Sequence, residues 1–286
     1  MATRTSIAAT IGLCVTALVA ARTFAQTTAS QSDNASAGAA QSAAPTSGGP
    51  HRNFVSCPIV RDTKTVPCWL AEYDGETYYL GIQTDISADF DPPYLGHRVL
   101  VEGVVKDAPR ICGGIVLEPV AASPLPELDT TCNTILPAED RYQVPFAPRP
   151  PGPSGGRLAF DPPPGGARPA APERAGPQDF ALEYDFDTAA MGRHSGTLTQ
   201  IFNYAQKTKA RTIRITGHRG ASLLSDGSTM TERAELAEIR ARETAKLLVG
   251  AGLDAASFDV SWSSALEEPD GDGDWHARRT IVRVEP

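Results

Sequence analysis

The sequence predicts a mixed α+β protein: a small all-β module stapled by disulfides, followed by a module of β-α-β-α-β-β order. Three observations predict it. Val- and Tyr-rich runs punctuated by turn residues fill residues 57–140, and strand alternation gives way to helical spacing and back again over residues 179–286. Proline and glycine, 24 and 25 in all, gather in the stretch between them.

The first residues, Met1-Ala2-Thr3-Arg4, lead into an apolar run from Ile7 to Ala20 and then small residues before Ala25 and Gln26. A charged start, a short greasy segment and a small-residue cleavage site are the parts of a secretory signal peptide, here residues 1–25. A retained membrane helix needs about 20 uninterrupted apolar residues, whereas Thr10 and Thr16 interrupt this shorter run. Leu13 before Cys14 argues against lipoprotein processing there. Residues 26–56 are dominated by Ala, Ser, Thr, Gln and Gly, with almost nothing large and apolar before Phe54, so burial does not offset their ordering entropy. They are expected to form a flexible leader.

In residues 57–140, Trp69–Tyr73 and Thr77–Ile82 flank Asp74-Gly75, a two-residue hairpin signal because both positions tolerate positive φ. Arg98–Val105 and Ile115–Val120 supply further strands. Five or so strands in so short a module favour a small OB-like barrel, with a sandwich next. Such barrels often bind oligonucleotides or oligosaccharides, and Trp69, Tyr73, Tyr78 and Tyr79 would offer a stacking face; the competing reading has them fill the core. Acidic residues (34) outnumber basic ones (26), for a net charge of -8, which argues against nucleic acid. Cys57, Cys68, Cys112 and Cys132, an even set in an exported chain, predict two disulfides whose pairing the spacing leaves open among three connectivities. Zinc is not indicated, since CxxC-like pairs are missing.

Residues 141–178 read as a linker; from Pro145 to Gln178 half the residues are Pro or Gly, as in Pro150-Pro151-Gly152-Pro153. Stretched as polyproline II, that length reaches on the order of 100 Å, so a spacer between two folded units is expected. Beyond it, Phe180–Phe186 alternates as a strand, and Leu198, Ile201, Phe202 and Ala205 have amphipathic helix spacing. Thr212–Gly217 is a strand. A helix is predicted from about Thr231 to Val249, with Thr229 and Glu232 as a capping box and Gly250 and Gly252 ending it. Phe258–Trp262 and Thr280–Val284 complete the order, with helices on one sheet face.

Four pieces in order, Phe180–Asp187, Ile213–His218, Glu235–Arg242 running on to Asp254, and Ala277-Arg278-Arg279, give this module its resemblance to the OmpA-like C-terminal domain, the peptidoglycan-binding module shared with MotB-type motor anchors. The resemblance implies a sandwich fold for residues 179–286 and a ligand in the diaminopimelate of the peptidoglycan stem peptide, whose free end presents an ammonium and a carboxylate. In the family, an Asp of a Gly-His-Thr-Asp loop meets the ammonium and a helical Arg meets the carboxylate. The Arg matches Arg240, in Leu236-Ala237-Glu238-Ile239-Arg240-Ala241, expected at the mouth of an open cavity.

The loop departs from its family. It reads Gly217-His218-Arg219-Gly220, so Gly220 stands in place of the acid and Arg219 in place of Thr; about five extra residues precede Arg240, and Arg233 replaces an Asn. Three readings stay open: Asp226 acts as substitute acid, Arg219 and Arg240 bind a more anionic group, or the fold persists without its ligand. The family pattern implies that His218 orients the loop. Arg278 and Arg279 fit either the rim of the site or the anchoring of the last strand.

Asp270, Asp272 and Asp274 alternate as in a calcium loop, but positions six and twelve are Trp275 and Ile281 where Gly and Glu are needed, so the segment reads as a solvated acidic loop. No nucleophile–base arrangement accompanies His218. The expectation is therefore a non-enzymatic protein without catalytic residues, metal or cofactor, exported to the periplasm and associated with the cell wall or outer membrane. It would bind peptidoglycan through Arg240 and meet other envelope proteins through the β module. The alternatives are an interaction scaffold with a degenerate ligand site, and oligosaccharide binding by the β module.

Overall fold

A computed structural model describes residues 49–82, 90–142, 144, 176–190 and 195–286. The signal peptide, most of the leader and nearly all of the Pro/Gly-rich linker lie outside the described residues.

The N-terminal module consists of β1 His51–Ser56, β2 Pro58–Arg61, β3 Cys68–Tyr73, β4 Glu76–Ile82, β5 His97–Val105, β6 Ile115–Leu128 and β7 Thr134–Leu136. The order in the sheet is β1-β5-β6-β4-β3-β2-β7. Asp74 and Gly75 take φ of 50° and 74°, and Tyr73 pairs with Glu76, the geometry the Asp-Gly signal anticipates. The first residues of β6 run parallel to β4 and the rest antiparallel to β5. One long strand thus carries the sheet from one half to the other, and Phe54, Tyr78, Leu80, Val99, Val101 and Leu117 fill the space between the halves.

β1 and β2 are separated only by Cys57 and pair with β5 and β3 on opposite sides of this order, so the sheet returns on itself through residues 51–61, the closure a small barrel requires. One expectation changes here. The folded part begins before residue 57: all six residues of β1 pair with β5, and Phe54 is 1% exposed, enough burial to order a strand in otherwise polar company. Of the two readings of the aromatic residues, core filling is the one found: Tyr78 is buried, Tyr73 stacks on Phe54 at 4.7 Å, and Trp69 and Tyr79 pack against the core. The disulfides are Cys57–Cys132 and Cys68–Cys112, closing separations of 75 and 44 residues. In the chain-entropy picture loops of that size stabilise by about 4 kcal/mol each.

The C-terminal module comprises β8 Gln178–Glu183, α1 Ser195–Thr208, β9 Thr212–His218, β10 Ala221–Leu223, β11 Thr229–Thr231, α2 Leu236–Gly250, β12 Phe258–Ser263 and β13 Arg279–Glu285. Its sheet runs β12-β9-β13-β8. Alternation puts Phe180, Leu182, Ile213, Ile215, Val282 and Val284 on one face, which Ile201 and Ala205 of α1 and Ala241 and Leu248 of α2 cover. The predicted order holds, with one insertion: β10 and β11 form a hairpin between β9 and α2. Helix α2 accordingly starts later than its apparent capping box. Thr229 lies in β11, Glu235 stands at the N-cap, and Glu232 serves a tertiary contact.

The two modules touch directly. Asn53 of β1 donates from Nδ2 to the carbonyls of Leu223 and Gly271, and Glu102 of β5 reaches Arg278.

Candidate functional site

The site begins where β9 passes beneath the first turn of α2. A Cβ on Gly217 would stand 2.0 Å from the Ala237 carbonyl oxygen, so glycine permits the close crossing. On α2, Leu236, Ala237, Arg240, Ala241 and Thr244 form the buried face. Helical spacing therefore aims Arg240 inward, over the ring of Tyr184 at 4.6 Å.

Arg240 is fully buried instead of standing at the mouth of an open cavity, and its anion comes from the same chain. Glu232 Oε1 and Oε2 accept from Nη2 and Nη1 at 2.6 and 2.8 Å, and both side chains are 0% exposed. The remaining guanidinium donors go to main-chain carbonyls, Nε and Nη2 to Thr188 at 2.9 and 2.7 Å and Nη1 to His218 at 3.0 Å. Glu232 accepts two further bonds, from the backbone N–H of Gly220 at 2.7 Å and of Asp187 at 2.8 Å. Burial of two charges is costly, and it is tolerated where the pair is bidentate and the other polar atoms are satisfied.

The insertion explains how Glu232 arrives. Ala221 pairs with Thr231 at the base of the β10–β11 hairpin, and one more ladder bond joins Glu232 N–H to the Gly220 carbonyl at 3.1 Å. The extra residues ahead of Arg240 thus end in a carboxylate at its guanidinium. The clue in the sequence was an acid at the end of the inserted stretch, which helix-start chemistry explained away.

Around this pair the structure gathers some of the predicted residues. His218 contributes its carbonyl, Gly220 its N–H, and Arg219 fixes the loop by donating to the carbonyls of Glu232 and Ser264 at 2.7 and 2.8 Å. Asp226 is elsewhere in its bonding: it lies in the hairpin turn, accepting from the N–H and hydroxyl of Ser228, which hold its carboxyl below the usual range. Asp226 is therefore no substitute acid, and the carboxylate at Arg240 is Glu232, which pairs with the guanidinium itself. Arg279 pairs with Glu267 at 2.9 Å beside the acidic loop. Arg233 clasps Asp187.

A second buried pair sits nearby. Arg278 donates to Glu102 Oε2 at 2.6 Å and Oε1 at 3.2 Å, and to Ser222 Oγ at 2.9 Å. Asp274 is buried too, accepting from the N–H groups of Leu223, Asp270 and Gly271, so it organises its loop. Among the described residues no three His, Cys, Asp or Glu side chains converge to hold a metal ion.

Two expected outcomes arise directly. Placing an acid in the loop by Gly220→Asp is expected to destabilise by at least about 2 kcal/mol. Its Cβ would stand 2.7 Å from Arg278 Cγ, and its charge would join that of buried Glu232; an unchanged urea midpoint would contradict this. His218 is expected to titrate below an ordinary imidazole, because partial burial and the Arg279 cation disfavour its charged form against the opposing pull of Glu267. The unfolded chain then binds the proton more readily, so this contribution to stability is complete above the unfolded pKa and lost as pH falls through the folded one. An NMR titration in which Arg279→Gln fails to raise the midpoint would remove that account.

No family model matches the chain, and no curated protein matches it. Among solved structures the chain is similar to a MotB-like protein from Desulfovibrio vulgaris, at 16% identity and TM-score 0.30 over 38% of this chain and 76% of that one. It is similar to the OmpA-like domain of FopA1 from Francisella tularensis, at 18% identity and TM-score 0.30 over 38% of this chain and 71% of that one. It is likewise similar to the periplasmic domain of Helicobacter pylori MotB, at 18% identity and TM-score 0.30 over 38% of this chain and 76% of that one.

Proposed function

We propose that the chain is a non-enzymatic protein of the cell envelope, in which an OmpA-like module is the docking scaffold for the N-terminal β module and the seat for a stem-peptide carboxylate is filled from within. The observation that carries this is the Glu232–Arg240 pair, bidentate and 0% exposed. An anion receptor whose donors are all engaged by its own chain has nothing to offer the diaminopimelate carboxylate while that pair persists. Export to the periplasm is supported by the signal-peptide pattern of residues 1–25 and by two disulfides, which persist in oxidising compartments. The β module contributes Asn53 and Glu102 to the docking contact and leaves Tyr94, Leu128 and Ile135 exposed for other partners.

Pelleting with purified sacculi tests the proposal. The full-length chain is expected to stay in the supernatant at low salt. The retained helical Arg240 in its family motif favours a second reading, docking on peptidoglycan through that residue. That reading predicts pelleting by the wild-type chain and about a tenfold or greater loss with Arg240→Met/Glu232→Leu, which removes the guanidinium without stranding a buried charge. The scaffold reading fails if that pattern is found.

A further inference from the structure

The inserted hairpin is held at both ends. Its base delivers Glu232 to Arg240, while its body is gripped by the N-terminal module. Asn53 Nδ2 donates to the Leu223 carbonyl at 3.0 Å, Asn53 N–H to Ser225 Oγ at 2.9 Å, and Ser225 N–H to the Asn53 carbonyl at 2.7 Å. Ser222 Oγ donates to Glu102 Oε1 at 2.8 Å, and Glu102 also takes the guanidinium of Arg278. Asn53, Glu102 and Ser222 are 2%, 0% and 0% exposed, so these contacts are dry. A single segment, from Ala221 to Glu232, is therefore shared between the module interface and the anion position of Arg240.

We propose that the N-terminal module is a latch on the internal carboxylate, so that undocking the modules and vacating the anion position of Arg240 are one coupled transition. The proposal rests on the reading that Glu232 occupies a carboxylate seat. Hydrogen bonds gathered on one short hairpin make it a cooperative unit: freeing β10 from Asn53 and Glu102 loosens the ladder that carries Glu232. A guanidinium left buried without its anion is strongly disfavoured, so the released form takes up an external carboxylate. By linkage, such a ligand favours the undocked modules to the same extent that undocking favours the ligand. The approach is the cleft between the modules, lined by Phe186, Asp187, Met230 and Arg233 on one side and Arg98 and Leu128 on the other. It reaches Asp187, whose N–H holds Glu232.

Native-state hydrogen exchange on the full-length chain tests the coupling. The amides of Asn53 and Ser225 report the interface, and those of Gly220 and Asp187 report the seat of Glu232. All four are expected to exchange through one opening, and Glu102→Gln to accelerate all four by about tenfold or more. The Glu102→Gln chain is expected to bind free diaminopimelate saturably, and the Glu102→Gln/Arg240→Met chain to lose that binding. Should Glu102→Gln not fold, the wild-type exchange decides alone: different opening energies for the two pairs of amides overturn the latch. Acceleration of the interface pair only, or an undocked chain that takes up no diaminopimelate, overturns it as well. Arg240-dependent pelleting of the wild-type chain, with the four amides still opening together, would instead overturn the scaffold reading and leave the coupling intact.

Discussion

Arg240→Ala is expected to lower the unfolding free energy by about 3–5 kcal/mol, the penalty for breaking a buried ion pair by deleting one partner. Glu232 would keep its burial and its backbone bonds from Gly220 and Asp187 but lose the cation that makes its charge tolerable. Thr188 and His218 would lose donors as well. Against a domain stability of about 5–15 kcal/mol such a loss is large, so the variant should show a much lower urea midpoint. Glu232→Ala is expected to do the same for the opposite charge. Replacing both with apolar residues of similar volume, Arg240→Met with Glu232→Leu, should recover part of the loss, because the desolvation cost of both charges disappears together while the backbone groups of Gly220, Asp187, Thr188 and His218 lose their side-chain partners. A single Arg240→Ala variant within about 0.5 kcal/mol of wild type, the range of ordinary surface substitutions, would show that the guanidinium is not a structural element. Loss of wall binding by that variant alone would say nothing about a ligand contact, which is why Arg240→Met with Glu232→Leu, leaving no buried charge unpaired, belongs in the pelleting experiment.

Glu102→Ala carries the second large effect. Arg278 is 0% exposed and draws its counter-charge from the other module, so removing Glu102 strands a buried guanidinium and frees Ser222 of its acceptor. A loss of about 3–5 kcal/mol is expected, for the same reason as at Arg240. Its signature should differ. The Glu232–Arg240 pair lies within one module, whereas Glu102–Arg278 joins two, so calorimetry should show one cooperative transition in the wild-type chain and two in Glu102→Ala. A variant that still melts in a single transition at the wild-type temperature would mean the modules are coupled by something other than this pair. Asn53→Ala should push in the same direction by a smaller step, since it removes neutral hydrogen bonds worth about 0.5–1.5 kcal/mol each.

Much of the architecture was legible because it is written in local pattern. The Asp74-Gly75 turn, the alternation of Ile213 and Ile215, and the inward spacing of Ile201 and Ala205 are each decided within a few residues. What failed to read correctly was polar and long-range. Thr229 and Glu232 have capping-box spacing, yet a cap contributes only about 1 kcal/mol, and a bidentate partner in a buried site outranks it. The aromatic residues of β3 and β4 left stacking and core filling both open, because sequence has no means of telling a displayed tyrosine from one pressed against Phe54.

The sequence by itself determined the two modules, the β-α-β-α-β-β order and the four cysteines that pair, since all of these follow from composition, spacing and period. Only the tertiary structure decided which cysteine meets which, that His51–Ser56 joins the β sheet, and that Arg240 and Arg278 each meet a carboxylate of this chain. The physical reason is that a charge in sequence carries no address. Its partner is chosen by which segments fold to within about 3 Å with water excluded, the range at which a hydrogen-bonded ion pair forms.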